Sequence, residues 1–186
     1  MVIELEKIIK LENSNSKYYS LILSKINNFE SRNDDVTSFL KKDAIQYNKS
    51  NRSKTFLLFD DMSGDLLGYF TLAVKSVDYC ENIVKNTKTK IAGHDTDDNF
   101  AIFYLIGQLG RDKNLSQKGF GSILLETAIS YLAMAQPIIG LRYCLVETEK
   151  SKENEGVIKF YTDNHFKYLQ IDKNDKYQQM IVKLKP

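Results

Sequence analysis

The spacing of apolar residues switches between helical and extended along this chain, and the switches mark its elements. Residues 2–11 alternate loosely and predict a first strand. Over 15–28, Tyr18, Leu21, Ile22 and Ile26 fall at helical steps, and over 34–48 Val36, Phe39, Leu40, Ala44 and Tyr47 do so again. Asn33 or Asp34 is placed to cap that second helix. The period then changes. Residues 54–60 (KTFLLFD) and 66–74 (LLGYFTLAV) flank a Met62-Ser63-Gly64-Asp65 turn, which predicts a β-hairpin. Residues 78–99 are polar and irregular. The run 100–110, FAIFYLIGQLG, is nearly all apolar and suits a central strand buried on both faces.

A polar, glycine-bearing stretch, RDKNLSQKGFGS, leads into a helix over 119–136, where Phe120, Leu124, Ala128, Tyr131 and Ala135 form an apolar stripe. Pro137 reads as its stop. A strand over 142–148, a short helix over 154–164 and strands over 166–171 and 177–184 complete the chain. The order β-α-α-β-β-β-α-β-α-β-β predicts an α/β fold, a mixed sheet with helices on its faces. At 186 residues a single domain, 1–186, is expected.

Composition narrows the function classes. Apolar residues make up 42% and charged residues 27%, as in ordinary globular proteins. The net charge of +2 demands no nucleic-acid partner and leaves room for a local basic face. Cys80 and Cys144 have no CxxC spacing, and with only His94 and His165 beside them no metal site is expected. The segment MVIELEKIIKLENS has no apolar core of a signal peptide. No run approaches ~18 apolar residues, so no membrane span is expected and a reducing cytoplasm is the simplest location.

The segment richest in chemistry is Ser116-Gln117-Lys118-Gly119-Phe120-Gly121-Ser122, between a strand and a helix. A helix opening after a glycine turn offers unpaired N–H groups and the positive end of its dipole, which suit phosphate oxygens. It is neither a Walker loop nor a GxGxxG fingerprint. Taken alone it fits a plain strand-to-helix turn as well as an anion cradle. Two further pieces are Asn154-Glu155-Gly156-Val157-Ile158-Lys159-Phe160-Tyr161 and Asn164-His165-Phe166.

With SQKGFG as its loop and NEGVIKFY downstream, the chain resembles the GNAT superfamily of acetyl-CoA-dependent N-acetyltransferases. That family carries a [Q/R]xxGxG/A loop after its fourth strand and a later N-x₆-Y segment closing on Gly-Phe. Most of the chain, including IFYLIGQLGRDKNLSQKGFGSILLETAI, looks like the GNAT toxins of type II toxin–antitoxin pairs. The chain departs from the pattern at Ser116, where Gln or Arg is usual, at Gly110-Arg111, which replaces a small-apolar pair, and at His165, which replaces glycine.

The resemblance implies a central, mostly antiparallel sheet of six to seven strands, splayed between the fourth and fifth. It implies acetyl-CoA as co-substrate, its pyrophosphate cradled by Gln117, Lys118, Gly119, Phe120, Gly121 and Ser122. Leu109, Gly110 and Arg111 correspond to the strand end that faces pantetheine and thioester, and Asn154 to a pantetheine contact; Asn154 reads equally well as an N-cap. Tyr161 corresponds to the tyrosine beside the thioester sulfur, where a phenol can donate to a departing thiolate. Phe160 and Phe166 read as core. No Asp or Glu lies in 100–111, and Glu147 and Glu149 on the next strand read as surface. A lysine amine is almost wholly protonated at neutral pH, an α-amine far less, so the missing base leans toward an α-amine acceptor. The toxin branch implies aminoacyl-tRNA as acceptor and a small antitoxin as partner, with a homodimer among its assemblies. Lys85, Lys88, Lys90, Arg111 and Lys113 could meet tRNA, opposed by Asp95, Asp97 and Asp98. An enzyme for small amines or peptides, and a GNAT-fold binding protein without turnover, are the competing readings.

Overall fold

Strand β1 (Val2–Glu4) gives way at once to helix α1 (Leu5–Ile9), so the strand expected over 2–11 is mostly helix. Leu5 and Ile8, three apart, are both buried, and the loose alternation was the trace of one helix face. The computed structural model describes residues 1–12, 17–115, 119–151 and 154–185. Helix α2 (Lys17–Asn28) follows, with Ile22 and Ile26 buried while Tyr18 and Leu21 stay exposed. Asn33 caps helix α3 (Asp34–Ser38): its Oδ1 accepts from Asp35 N–H at 2.9 Å and Val36 N–H at 3.3 Å. A π-helical turn (Phe39–Asp43) then joins α3 to α4 (Ala44–Lys49); Leu40 within it and Ala44 just after it are buried.

The hairpin is present as β2 (Lys54–Phe59) and β3 (Leu66–Asp78), antiparallel, with Phe56 and Phe70 stacked at 5.0 Å across it. The stretch expected to be irregular holds helix α5 (Lys85–Ala92). Of its residues only Ile91 is buried, too thin a signal to read in advance. Strand β4 (Phe100–Arg111) is not buried on both faces throughout, because Phe100 and Ile102 remain 47% and 46% exposed. Helix α6 (Phe120–Ile139) runs through Pro137. Pro137 has no N–H for the carbonyl four residues back, yet the helix continues to Ile139, and Gly140, at φ +93°, ends it by donating to Gln136 O at 2.7 Å. By length and composition α6 is able to cross a bilayer, which counting apolar runs passed over. Phe120, Leu124, Leu125, Ala128 and Leu132 are buried, while Ile123, Met134, Ile138 and Ile139 are exposed.

Strand β5 (Tyr143–Glu149), helix α7 (Glu155–Asp163) and strands β6 (Lys167–Ile171) and β7 (Tyr177–Lys183) complete a seven-stranded sheet ordered β1-β2-β3-β4-β5-β7-β6. Contacts gather into two compact units, Met1–Ala73 with Gly107–Ala128 and Val74–Ile106 with Ile129–Pro186. In the first, Leu57, Phe59 and Tyr69 pack with Phe29, Leu40 and Ala44. In the second, Val77, Phe103, Leu145, Leu169 and Ile181 pack with Ile91.

The fourth strand is irregular. Asp112 N–H donates to Leu67 O at 2.8 Å and Tyr79 N–H to Asn99 O at 2.7 Å, so β3 and β4 are antiparallel. The interval from Asn99 to Asp112 is one residue longer than that from Leu67 to Tyr79, so β4 carries an extra residue, a bulge. Gln108 N–H meets the Thr71 hydroxyl at 2.9 Å, which marks the irregularity. β4 and β5 are parallel and register only at Tyr104↔Cys144 and Leu105↔Leu145. The expected splay is this short ladder: neither the rest of β4 nor residues 146–149 of β5 add a registered pair.

The turn from α7 to β6 depends on His165 at φ +70°. It lets His165 N–H reach Thr162 O and Phe166 N–H reach Tyr161 O, both at 3.0 Å. A side chain in the left-handed region costs about 1–2 kcal/mol, and glycine gives part of that back through its greater freedom when unfolded. His165→Gly should therefore stabilise the protein by about 0.5–1 kcal/mol, read as a raised Tm; an unchanged or lowered Tm contradicts it. Gly68 has the opposite demand, since a Cβ there would stand 2.7 Å from Gly110 O and 3.3 Å from Leu124 Cδ2. Gly68→Ala should cost about 1–3 kcal/mol in chemical denaturation, and a neutral result would show that β3 and β4 yield easily.

Candidate functional site

In the first unit, β4 ends where α6 is about to begin. Leu109 and Arg111 are half-buried and Gly110 is buried. A Cβ on Gly110 would sit 2.3 Å from Val36 Cγ1 and 3.2 Å from the Tyr69 ring, so a bare backbone is required where α3 crosses the strand. Arg111 Nη1 reaches Leu115 O at 3.5 Å. Gln117 and Lys118, with Ser116, lie outside the described residues. Gly119 is left-handed, φ +80°, and its carbonyl accepts from Ser122 N–H at 3.0 Å and Ile123 N–H at 3.3 Å. Those bonds start α6 and leave the Phe120 and Gly121 N–H groups without a carbonyl inside the helix, as at any helix N-terminus. Phe120 is buried and anchors that end. The glycine turn, the unsatisfied donors and the dipole of a 20-residue helix make a fit for an anion.

A cavity of about 490 Å³ lies beside the same strand exit, lined among others by Lys25, Phe29, Asp60, Asp65 and Asp112. Ser63 and Met62 N–H groups hold the Asp60 carboxyl below its ordinary range, and Lys25 does the same for Asp65. Carboxylates outnumber ammonium groups there, so the lining repels phosphate and the helix start remains the better anion site.

In the second unit, Tyr161 is buried on α7. Its ring tilts against Phe160 at 5.2 Å and Phe166 at 5.3 Å. Burial pushes the phenol well above its usual range, and nearby Cys144 adds to the shift. Burial raises the Cys144 thiol as well. Cys144 belongs to one of the two registered pairs of the β4–β5 ladder, so Tyr161 lies near the place where that ladder stops. A phenol so raised stays protonated and keeps its hydrogen available to donate. Asn154 precedes α7 without capping it: its side chain donates to Glu149 O at 3.0 Å and ties the helix start to the end of β5.

Lys85 pairs with Asp95 at 3.1 Å and Asp97 at 3.2 Å. Lys88 bonds Asn99 Oδ1 at 3.1 Å and lies over the Tyr79 ring. Lys113 pairs with Glu30. Among the described residues no group of three or more His, Cys, Asp and Glu could hold a metal.

One constellation escaped the sequence. Glu147, read as surface, is mostly buried; one carboxylate oxygen faces Lys75 and the other accepts from Gln179 Nε2 at 2.7 Å. Gln179 in turn meets Gln170. These residues lie on β3, β5, β6 and β7, and only the polar letters inside otherwise apolar strands hint at them.

No family model and no curated protein matches the chain. Solved structures do. AtaT complexed with acetyl-methionyl-tRNAfMet superposes with a TM-score of 0.68 at 18% identity, covering 85% of this chain and 86% of that one. AtaTR bound with AcCoA gives 0.65 at 15% identity over 99% and 92%. A Tyr-to-Phe mutant of KacT gives 0.67 at 19% identity over 86% and 87%. The architecture of this chain is therefore that of AtaT, a toxin, and of KacT: the GNAT fold that its glycine loop and closing motif led us to expect.

Proposed function

We propose that this protein, acting as one domain over residues 1–186, transfers acetyl from acetyl-CoA to an α-amine, and that the amine is that of an aminoacyl-tRNA. The observation that carries the reading is a buried tyrosine near the end of a two-pair parallel ladder, in a chain with the fold of AtaT. That toxin is bound to AcCoA in one structure and to acetyl-methionyl-tRNAfMet in another. A toxin role, with a small antitoxin as partner, rests on the same likeness: AtaT has been solved bound to the C-terminus of the antitoxin AtaR. A cytoplasmic location goes with it.

The residues divide the work by chemistry. Backbone N–H groups of 117–122 hold the pyrophosphate against the positive end of α6. Leu109, Gly110 and Arg111 offer backbone to pantetheine and donors to the carbonyl oxygen as it gains charge. Asn154 lies close to the pantetheine path through its tie to β5. The neutral amine attacks the thioester carbon, the C–N bond forms and the C–S bond breaks. The sulfur leaves as a thiolate and takes up the proton that the nitrogen releases. Tyr161 donates a hydrogen bond to that sulfur. An α-amine fits because enough of it is neutral near pH 7 to react without a strong base.

The engagement of Lys85 and Lys113 in ion pairs favours a second reading, a small amine or peptide as acceptor. Transfer of labelled acetyl from acetyl-CoA to methionyl-tRNA, against transfer to methioninamide and short peptides, separates the two. Preference for tRNA together with growth arrest on expression supports the toxin reading; robust transfer to small amines alone overturns it.

Two variants test the site. Gly121→Asp sets a carboxylate where the pyrophosphate would sit, so stabilisation by millimolar acetyl-CoA should vanish; if it survives, the cradle is misassigned. Tyr161→Phe keeps the ring but removes the donor, so kcat should fall about 100-fold with acetyl-CoA binding nearly intact. Turnover within threefold of the parent would leave Tyr161 a packing residue.

A further inference from the structure

We infer that Glu147 receives the acceptor amine, and that Lys75, Gln179 and Gln170 hold its carboxylate for that purpose; the inference rests on the acetyltransferase reading above. Glu147 stands two residues beyond Leu145, the last β5 residue registered with β4. Its side chain keeps 17% of its accessible surface, enough for a ligand atom to reach it.

A surface glutamate is ordinarily solvated and free to turn. This one is gripped on both oxygens, by the Lys75 ammonium at Oε2 and by Gln179 Nε2 at Oε1. The grip is itself fixed from behind. Gln179 Oε1 accepts from Gln170 Nε2 at 2.9 Å, and Gln170 Nε2 also donates to Asp78 O at 2.9 Å. Gln170 Oε1 accepts from Cys80 N–H at 2.9 Å. Both glutamines are buried, and with every partner assigned the Gln179 amide has one orientation, its NH₂ toward Glu147. Buried, fully connected polar chains of this kind fix a geometry closely. A carboxylate has about four lone-pair sites, and the chain occupies only two of them.

The placement suits the chemistry. Cys144, the residue Tyr161 lies near, is three positions earlier on β5, about 10 Å along the strand and on its opposite face. A donor for the sulfur and an acceptor for the nitrogen thus stand on either side of Leu145, where registered pairing of β5 with β4 ends. As the amine attacks, its nitrogen becomes positive while the sulfur becomes negative, and a carboxylate beside the nitrogen strengthens its hold as the charge grows. With Lys75 on one oxygen and Gln179 on the other, the Glu147 carboxylate acts as a hydrogen-bond acceptor and counter-charge. The proton released by nitrogen still goes to the thiolate, so the proton balance of the transfer is unchanged.

Two variants of the full chain decide it. Glu147→Gln keeps the shape and an acceptor oxygen but removes the charge. Lys75→Met breaks the same ion pair and leaves the carboxylate. For acetyl transfer to methionyl-tRNA and to methioninamide, Glu147→Gln should lower kcat/KM for the acceptor about 10–100-fold, and Lys75→Met less, because Gln179 and Gln170 still hold the carboxylate. Stabilisation by acetyl-CoA, read on both variants, should match the parent and confirms that each is folded. Equal losses in the two variants, or a Glu147→Gln enzyme within threefold of the parent, would overturn the inference and leave a structural ion pair. A parent protein inert toward every amine removes this inference together with the acetyltransferase reading; an active parent with an unaffected Glu147→Gln removes this one alone.

Discussion

A parallel pair of strands that stops after two registered residues constrains this molecule more than any other contact. Sheets gain by continuing, since every unpaired N–H and C=O inside a protein must find another partner. Here β5 is fully registered with β7 from Tyr143↔Lys183 to Glu149↔Tyr177, and hardly at all with β4. β4 is irregular toward β3 as well: its extra residue shifts the strand, so Gln108 N–H finds a threonine hydroxyl where a ladder would offer a carbonyl.

Around that interruption the side chains are held rather than merely present. Tyr161 is locked between Phe160 and Phe166, and its own carbonyl accepts from Phe166 N–H. Glu147 is locked by a chain of amides that reaches from β7 through β6 to the end of β3. The Tyr161 phenol, near Cys144, and the Glu147 carboxylate, three residues further along β5, are two groups of opposite hydrogen-bonding sense.

Much of this was legible in the letters. Periods of two and of three to four placed the hairpin, α6, β5, α7 and the last two strands, because each carries several buried residues in regular spacing. Where burial is thin the signal fails: α5 buries only Ile91, and α1 is too short for a helical period to be told from loose alternation. Pro137 misled because a proline forfeits a bond to the preceding turn without obliging the helix to end at once, and residues up to Ile139 remain helical. The glycine loop and the α7 tyrosine could be found because each is a local pattern. The Glu147 network could not, since Lys75, Glu147, Gln170 and Gln179 become neighbours only through the strand order. The lysines and the opposing Asp95 and Asp97 were legible as letters, but the pairing of Lys113 with Glu30 was not.

The turn at His165 bears on how proteins of this architecture are recognised. What the chain needs ahead of Phe166 is a backbone angle, and histidine is among the side chains that tolerate it better than most. A search written on the letter glycine tests for the usual supplier of that angle, while the fold tests for the angle itself. Chains that meet the geometry with another residue drift out of reach of sequence patterns while their backbones stay superposable, and for them φ at the helix exit is the more durable signature.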